Sequence, residues 1–497
     1  MFEAVEVGRK ISREAYDARE PELRAELLAM QRLAKERGRA VIVVVSGVEG
    51  AGKGEVVDRL NEWLDARGVQ THAFWDNTDE EAERPPFWRF WQALPPRGTV
   101  AVMFGSWYTR PIVDFALGHC GKSRFDRELA RINEFEQALA EDGTIIVKFW
   151  FHLGKKAQRK RLESDDASPK NKQSPQAAKF AKSYDAFEAA SERAIRTTDT
   201  GFAPWYLIEA EQARYRDLTF GETLLEAMRA RLGDTSAPAP STSLNPAVKA
   251  TEPDARRTVL DTLDLTTTLD DAAYEARLKQ AQQSLHALSW RARQARQSTV
   301  LVFEGSDAAG KGSAIRRITQ SIDARLYRVI STAAPTDEER AHHYLWRFWR
   351  HIPRRGSFTI YDRSWYGRVL VERVEGFATQ QEWSRAYQEI NDFEEQLTDQ
   401  GVLLLKFWLH ISPDEQLQRF HEREQTPHKQ HKIGPEDWRN REKWGDYVLA
   451  VNDMVARTST AAAPWLLVPA NDKKTSRVMV LEHVCAQLQA RLDAASR

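Results

Sequence analysis

The chain has 497 residues, room for two to four domains at roughly 150 residues each. Lys plus Arg and Asp plus Glu number 72 each, and the zero net charge argues against a nucleic-acid coat or a polybasic membrane tether. With 25 Gly and 20 Pro the chain is not collagenous or largely disordered, and 42% hydrophobic residues with 16 Trp can fill substantial cores.

In chain order, MFEAVEVGRKISREAYDARE is charged throughout and lacks the apolar core of a secretory signal. No run of 18 apolar residues follows anywhere, so no transmembrane helix and no membrane partner are expected. Cys120 and Cys485 lie far apart without metal-ligand spacing and fit a reducing, cytoplasmic setting. A helical stretch at about 12–37 leads into an apolar strand from Ala40 to Ser46, then a Gly-rich loop and another helix. Further strands are expected near 99–104, 144–150 and 206–209. Residues 233–257 carry four prolines among Ser, Thr and Ala and read as a linker. The order then starts again, with a helix at about 270–296, a strand from Thr299 to Phe303, and strands near 357–361, 402–407 and 465–468. Near-continuous apolar strands alternating with helices predict an α/β fold, a three-layer α/β/α arrangement around a parallel sheet.

The second half repeats the first. Gly47, Gly52, Lys53 and Gly54 fall on Gly305, Gly310, Lys311 and Gly312, a shift of 258 residues. The same shift carries Thr78-Asp79-Glu80-Glu81, Trp88-Arg89-Phe90-Trp91, Ser106-Trp107-Tyr108 and Lys148-Phe149-Trp150 onto identical residues. Two tandem copies follow: residues 1–232 and 258–497, joined by 233–257.

In the second copy, strand, then Gly305-Ser306-Asp307-Ala308-Ala309-Gly310-Lys311-Gly312-Ser313, then helix is a phosphate-binding loop in its proper context. Gly305, Gly310 and Gly312 let backbone N–H groups turn toward phosphate oxygens, with Ser313 in the first helical turn and Lys311 reaching the transferring phosphates. A Gly-rich turn without a ligand is the plain alternative, and the strand context and the second copy both count against it. The residue after the lysine is Gly312 rather than the usual magnesium-binding Ser or Thr. Asp307 is the substitute, and a second carboxylate comes from Asp362, beside Arg363 at the end of an apolar strand. Asp362 could instead serve as a helix N-cap. Downstream, at about 412–445, a basic stretch holds Arg419, Arg423, Lys429 and Lys432. It reads either as a solvated helix face or as a lid over the loop that grips a polyanion.

The first copy has lost much of this set. Asp307 becomes Glu49, Ser313 becomes Glu55, and Asp362-Arg363 becomes Phe104-Gly105. In the lid, Arg423, Lys429 and Lys432 become Asp165, Asn171 and Ser174, while Arg419 stays as Arg161. The second copy is therefore expected to be catalytic, and the first is kept for an interface or for regulation. Trp346, Arg347, Trp349 and Trp365 have identical counterparts in the depleted copy and are expected to pack; Arg368, matched by Arg110, is left open by the same logic.

The series Gly305 to Gly312, Tyr344-Leu345-Trp346-Arg347, Asp362-Arg363-Ser364-Trp365-Tyr366 and Lys406-Phe407-Trp408 resembles the family-2 polyphosphate kinases over nearly all of both halves. The run Trp365 to Arg373, with Gly367 after Ser-Trp-Tyr, is similar to the fused branch that acts on nucleoside monophosphates. The resemblance implies a thymidylate-kinase-like fold and transfer of a terminal phosphate from polyphosphate to AMP, giving ADP. It also implies Mg²⁺ on the Asp307 and Asp362 positions and polyphosphate along the basic lid. On that reading Asp307, Lys311, Asp362 and Arg363 are catalytic, and Arg368 or Arg373 meets the AMP phosphate. A homodimer is expected, with the depleted copy serving as an interface. Three other readings remain: an ATP-dependent nucleotide kinase, the same family acting on ADP, and a nucleotide-sensing scaffold.

Overall fold

In the computed structural model, residues 1–74, 76–163, 183–233, 258–427, 430 and 433–495 are described. They form two units, each built on its own five-stranded, all-parallel sheet.

The first unit contains β1 (Val41–Gly47), β2 (Val69–Ala73), β3 (Val100–Phe104), β4 (Ile145–His152) and β5 (Trp205–Glu209), in the order β2-β3-β1-β4-β5. Strand β1 is central, which is why its residues Val41 to Val45 are apolar without a break: both faces are covered. Val41, Val43 and Val45 pack with Leu27, Leu60, Phe220 and Leu224 from the helices Arg13–Glu36, Lys53–Trp63 and Ala213–Gly233. Each such side chain gains about 1.5–3 kcal/mol on burial. Helix Lys122–Glu141 packs on β4.

The second unit repeats the plan with β6 (Thr299–Gly305), β7 (Tyr327–Ser331), β8 (Phe358–Asp362), β9 (Leu403–His410) and β10 (Trp465–Pro469). Their order is β7-β8-β6-β9-β10. Leu301, Phe303 and Phe407 pack against Leu285, Ile318, Val480 and Leu488 from the helices Asp271–Gln294, Lys311–Thr319 and Lys473–Ala495. Asp270 starts the first of these helices by accepting from the Ala273 N–H at 2.7 Å.

The expected strands are all present, and β2 and β7 are additions to them. Both are edge strands with no fully buried residue, so Val-Gln-Thr-His-Ala and Tyr-Arg-Val-Ile-Ser carry no apolar run to betray them. The units also differ from a simple cut at the linker. Asn77–Trp88, with the first copy's Thr-Asp-Glu-Glu motif, belongs to the second unit, where Glu83 accepts from Arg354 Nε at 2.6 Å. Asp337–His343, with the matching motif, belongs to the first, where the Ala341 carbonyl accepts from the Arg97 N–H at 2.8 Å. Of the span 233–257 expected to link the copies, Gly233 ends the helix Ala213–Gly233 and the rest lies outside the described residues.

Both units share one buried polar network. In the second, Lys406 Nζ donates to Glu394 (2.7 Å), to Tyr366 Oη (3.0 Å) and to the Thr458 carbonyl (2.6 Å). Glu394 also accepts from Trp365 Nε1 and Tyr366 Oη. Lys148, Glu136, Tyr108, Trp107 and Thr198 repeat the pattern in the first unit. The Ser-Trp-Tyr and Lys-Phe-Trp motifs are thus part of the scaffold, as Trp365's twin already implied. Among the described residues no helix is long and apolar enough to cross a membrane.

Candidate active site

The loop after β6 turns on Gly305, where a Cβ would stand 2.5 Å from the Leu409 carbonyl oxygen on the neighbouring strand. Only a residue without a side chain lets β6 and β9 approach this closely before the chain swings away. Ala308 takes a left-handed conformation and Gly310 begins helix Lys311–Thr319, so the loop wraps the helix N-terminus. Lys311 Nζ folds back onto the carbonyls of Gly305 (2.5 Å) and Ser306 (3.3 Å). Burial, and then Arg363, lowers its ammonium, against the pull of Asp307, Asp362 and Glu304. Ser313 Oγ accepts from Arg477 Nε at 2.8 Å.

Asp307, Asp362 and Arg363 converge on this loop. Arg363 NH2 donates to Asp307 Oδ1 at 2.8 Å, and Asn440 Nδ2 donates to Asp307 Oδ2 at 2.8 Å. Burial would raise the Asp307 carboxyl, but Lys311, Arg363 and Asn440 together hold it below the usual carboxylate range. Asp362 ends β8, and a Cβ on Gly312 would stand 3.9 Å from Asp362 Oδ2. The absent side chain at position 312 therefore leaves space that this carboxylate faces. Two hard carboxylates beside a phosphate loop suit a divalent cation whose remaining ligands are phosphate oxygens.

The basic stretch forms two helices, Pro413–Gln425 and Pro435–Glu442. Arg419 is buried, and its guanidinium donates to the carbonyls of Ala308, Ala309, Ala470 and Asn471 and to Glu415. It braces the back of the phosphate loop, with its donors committed to the protein. Gln416 joins it by donating to the Asp307 carbonyl at 3.1 Å. Arg423 is half-buried on the same helix. Lys429 and Lys432 lie outside the described residues. Glu375 receives both Arg439 (2.9 Å) and Lys443 (3.1 Å), so two cations of the basic stretch are tied to one carboxylate.

The two arginines expected at the acceptor side are held in ion pairs of their own. Arg368 pairs with Glu372 at 3.1 Å and lies over the Tyr344 ring. Arg373 donates to Asp453 and Tyr387, both at 2.8 Å, and lies over Trp383. Burial raises the Glu372 carboxyl, against Arg368 and Arg347.

Sequence reasoning missed Glu304, Asn440 and Glu375. The signal for Glu304 was available: a charged residue ending a strand otherwise buried on both faces, with Ser46 as its counterpart. Asn440 and Glu375 make their contacts only through the folded chain and had none.

The corresponding loop of the first unit is crowded at Gly52. Arg216 is 1% exposed, and its NH1 would stand 1.6 Å from a Cβ at Gly52, whereas a Cβ at Gly310 meets nothing within 4 Å. Arg216 NH1 donates to Glu55 Oε2 at 2.7 Å, and Arg161 NH2 to the same oxygen at 3.3 Å. Lys53 is folded onto Gly47 and Val48, with Glu49 at 3.4 Å. A carboxylate and its arginine thus crowd Gly52, and Arg216 NH1 also reaches the Ala51 carbonyl at 3.4 Å.

A family model described as polyphosphate kinase 2 (PPK2) matches residues 10–235 and again 268–495. A polyphosphate:AMP phosphotransferase of Pseudomonas aeruginosa is 48% identical over 493 residues, 99% of each chain. One from Acinetobacter johnsonii is 38% identical over 487 residues, 95% of each chain. A crystal structure from Pseudomonas aeruginosa described as a polyphosphate kinase 2 superposes with a TM-score of 0.88 at 46% identity, covering 99% of both chains.

Proposed function

Because the chain belongs to the polyphosphate kinase 2 family, we propose that it is a polyphosphate:AMP phosphotransferase that works through its second unit. It moves the terminal phosphate of polyphosphate to AMP and releases ADP. The observation that carries the assignment to this unit is the loop at Lys311 with Asp307, Asp362 and Arg363 beside it, set against the loop at Lys53, where Phe104 and Gly105 replace the last two and Arg216 and Glu55 crowd Gly52.

Phosphoryl transfer passes through a loose transition state, so positioning and charge neutralisation matter more than covalent participation. The loop N–H groups and Lys311 hold the phosphates at the transfer point. Asp307 and Asp362 hold Mg²⁺, which when bound neutralises charge on the phosphate oxygens. Arg363 is aimed at the same place by its 2.8 Å contact with Asp307 and stabilises the transferring group. Arg423, Lys429 and Lys432 guide the chain of phosphates, and Arg419 keeps the loop in the shape that receives them. Arg368 and Arg373 meet the AMP phosphate, each exchanging an internal carboxylate for it. The free Cys120 and Cys485 support a cytoplasmic setting, and retention of a full copy without the reactive side chains supports a homodimer.

End-point nucleotide analysis tests the reading. With AMP and Mg²⁺, ADP should form from long-chain polyphosphate and not from ATP. ADP formed only with ATP would make the protein an ordinary nucleotide kinase.

A further inference from the structure

Glu304 is the last strand residue before Gly305 and is 5% exposed. One of its carboxylate oxygens accepts two hydrogen bonds from the same residue, the Ser364 N–H at 2.7 Å and the Ser364 Oγ–H at 2.8 Å. A buried carboxylate is costly unless it is hydrogen-bonded, so an acid at this place calls for a reason.

The reason lies one residue before Ser364. Arg363 has φ of 62°, a left-handed conformation that a residue with a side chain rarely takes. The turn is nonetheless what aims its guanidinium at Asp307. In the first unit the same turn is made by Gly105, with φ of 71°, and there Glu304 is replaced by Ser46. Where the turn residue is glycine the carboxylate is absent; where it is arginine the carboxylate is present and grips the next residue. Glu304 also adds negative charge beside Lys311 and Arg363, while its own burial pushes its carboxyl up.

We propose that Glu304 is a positioning residue for phosphoryl transfer: by gripping Ser364 it holds Arg363 in the left-handed turn that presents the guanidinium to Asp307 and the phosphate loop. This rests on the second unit being the catalytic one. Glu304 touches no substrate in this account; it acts through Arg363.

The test is a cycle of Glu304→Ser, Arg363→Gly and the double variant, with Glu304→Gln as the conservative control. Turnover, the KM for AMP and for polyphosphate, and Tm are read for each. Glu304→Ser should lower kcat by about 10–100-fold with a smaller change in the KM for AMP, as expected for a misplaced group. Glu304→Gln keeps an oxygen for Ser364 and should recover most of that loss. On the Arg363→Gly background, Glu304→Ser should cost little further turnover, because the residue it positions is gone. Its Tm loss should also shrink there, since glycine takes the turn unaided. Losses that multiply in kcat and add in Tm would overturn the proposal. Were wild type to make no ADP from polyphosphate and AMP, the functional reading would fall, and the Tm cycle would still decide whether Glu304 holds this turn.

Discussion

The buried lysines and the loop lysines of the two units tell different stories. Lys148 and Lys406 sit in networks that match bond for bond, each with its Glu, Tyr, Trp and carbonyl partners. Lys53 and Lys311 also fold back alike, yet the glycine before the first is crowded by Arg216 and Glu55, whereas nothing stands within 4 Å of a Cβ at Gly310 before the second. The two copies keep the buried network in full, while around the loop lysine they keep some residues and exchange others, Asp362-Arg363 for Phe104-Gly105 among them. A side chain present beside Lys311 and lost beside Lys53, such as Asp362 or Arg363, is therefore a candidate for the reaction, whereas presence in both copies does not by itself decide a role, as Lys53 and Lys311 show.

The largest effects should fall on the shared scaffold. Glu394→Gln and Glu136→Gln each leave a buried lysine without its counter-charge, which costs about 3–5 kcal/mol. Chemical unfolding should show comparable destabilisation for both. A loss confined to Glu394→Gln would mean that the first unit's network is decorative and would break the comparison.

A smaller effect sharpens it from the other side. Glu55→Ser combined with Arg216→Ser gives the first unit the residues found at Ser313 and Ser476, and removes the pair that crowds Gly52. Titration calorimetry with inorganic tripolyphosphate should then register one more binding event per chain than wild type, a weak one because Phe104 and Gly105 still replace Asp362 and Arg363. An unchanged stoichiometry would mean that the crowding at Gly52 is not what separates the two loops in phosphate binding.

Much of this was legible in the sequence, for physical reasons that also mark where it stopped. Central strands such as Val41–Gly47 and Thr299–Gly305 are buried on both faces and cannot hide, and the glycines of the loop are required by its geometry. Edge strands β2 and β7 bury too little to leave a pattern. Arg419 and Arg423 share a helix four residues apart, but periodicity says nothing about what that face meets; Arg419 meets the carbonyls of the phosphate loop. The placement of Asn77–Trp88 and Asp337–His343 in the opposite units is invisible to local rules, because each motif reads the same in either setting. Glu304 could have been noticed, since the two copies differ there in step with Arg363 and Gly105.

The division of labour between the units can be tested in one comparison, the turnover of Asp362→Asn against that of Lys53→Met, with polyphosphate and AMP as substrates and circular dichroism to confirm folding. Asp362→Asn should lose at least about 10²-fold, the scale of removing one preorganised electrostatic partner, while Lys53→Met stays near wild type. Near-wild-type turnover in Asp362→Asn, or collapse in a folded Lys53→Met, would contradict the account.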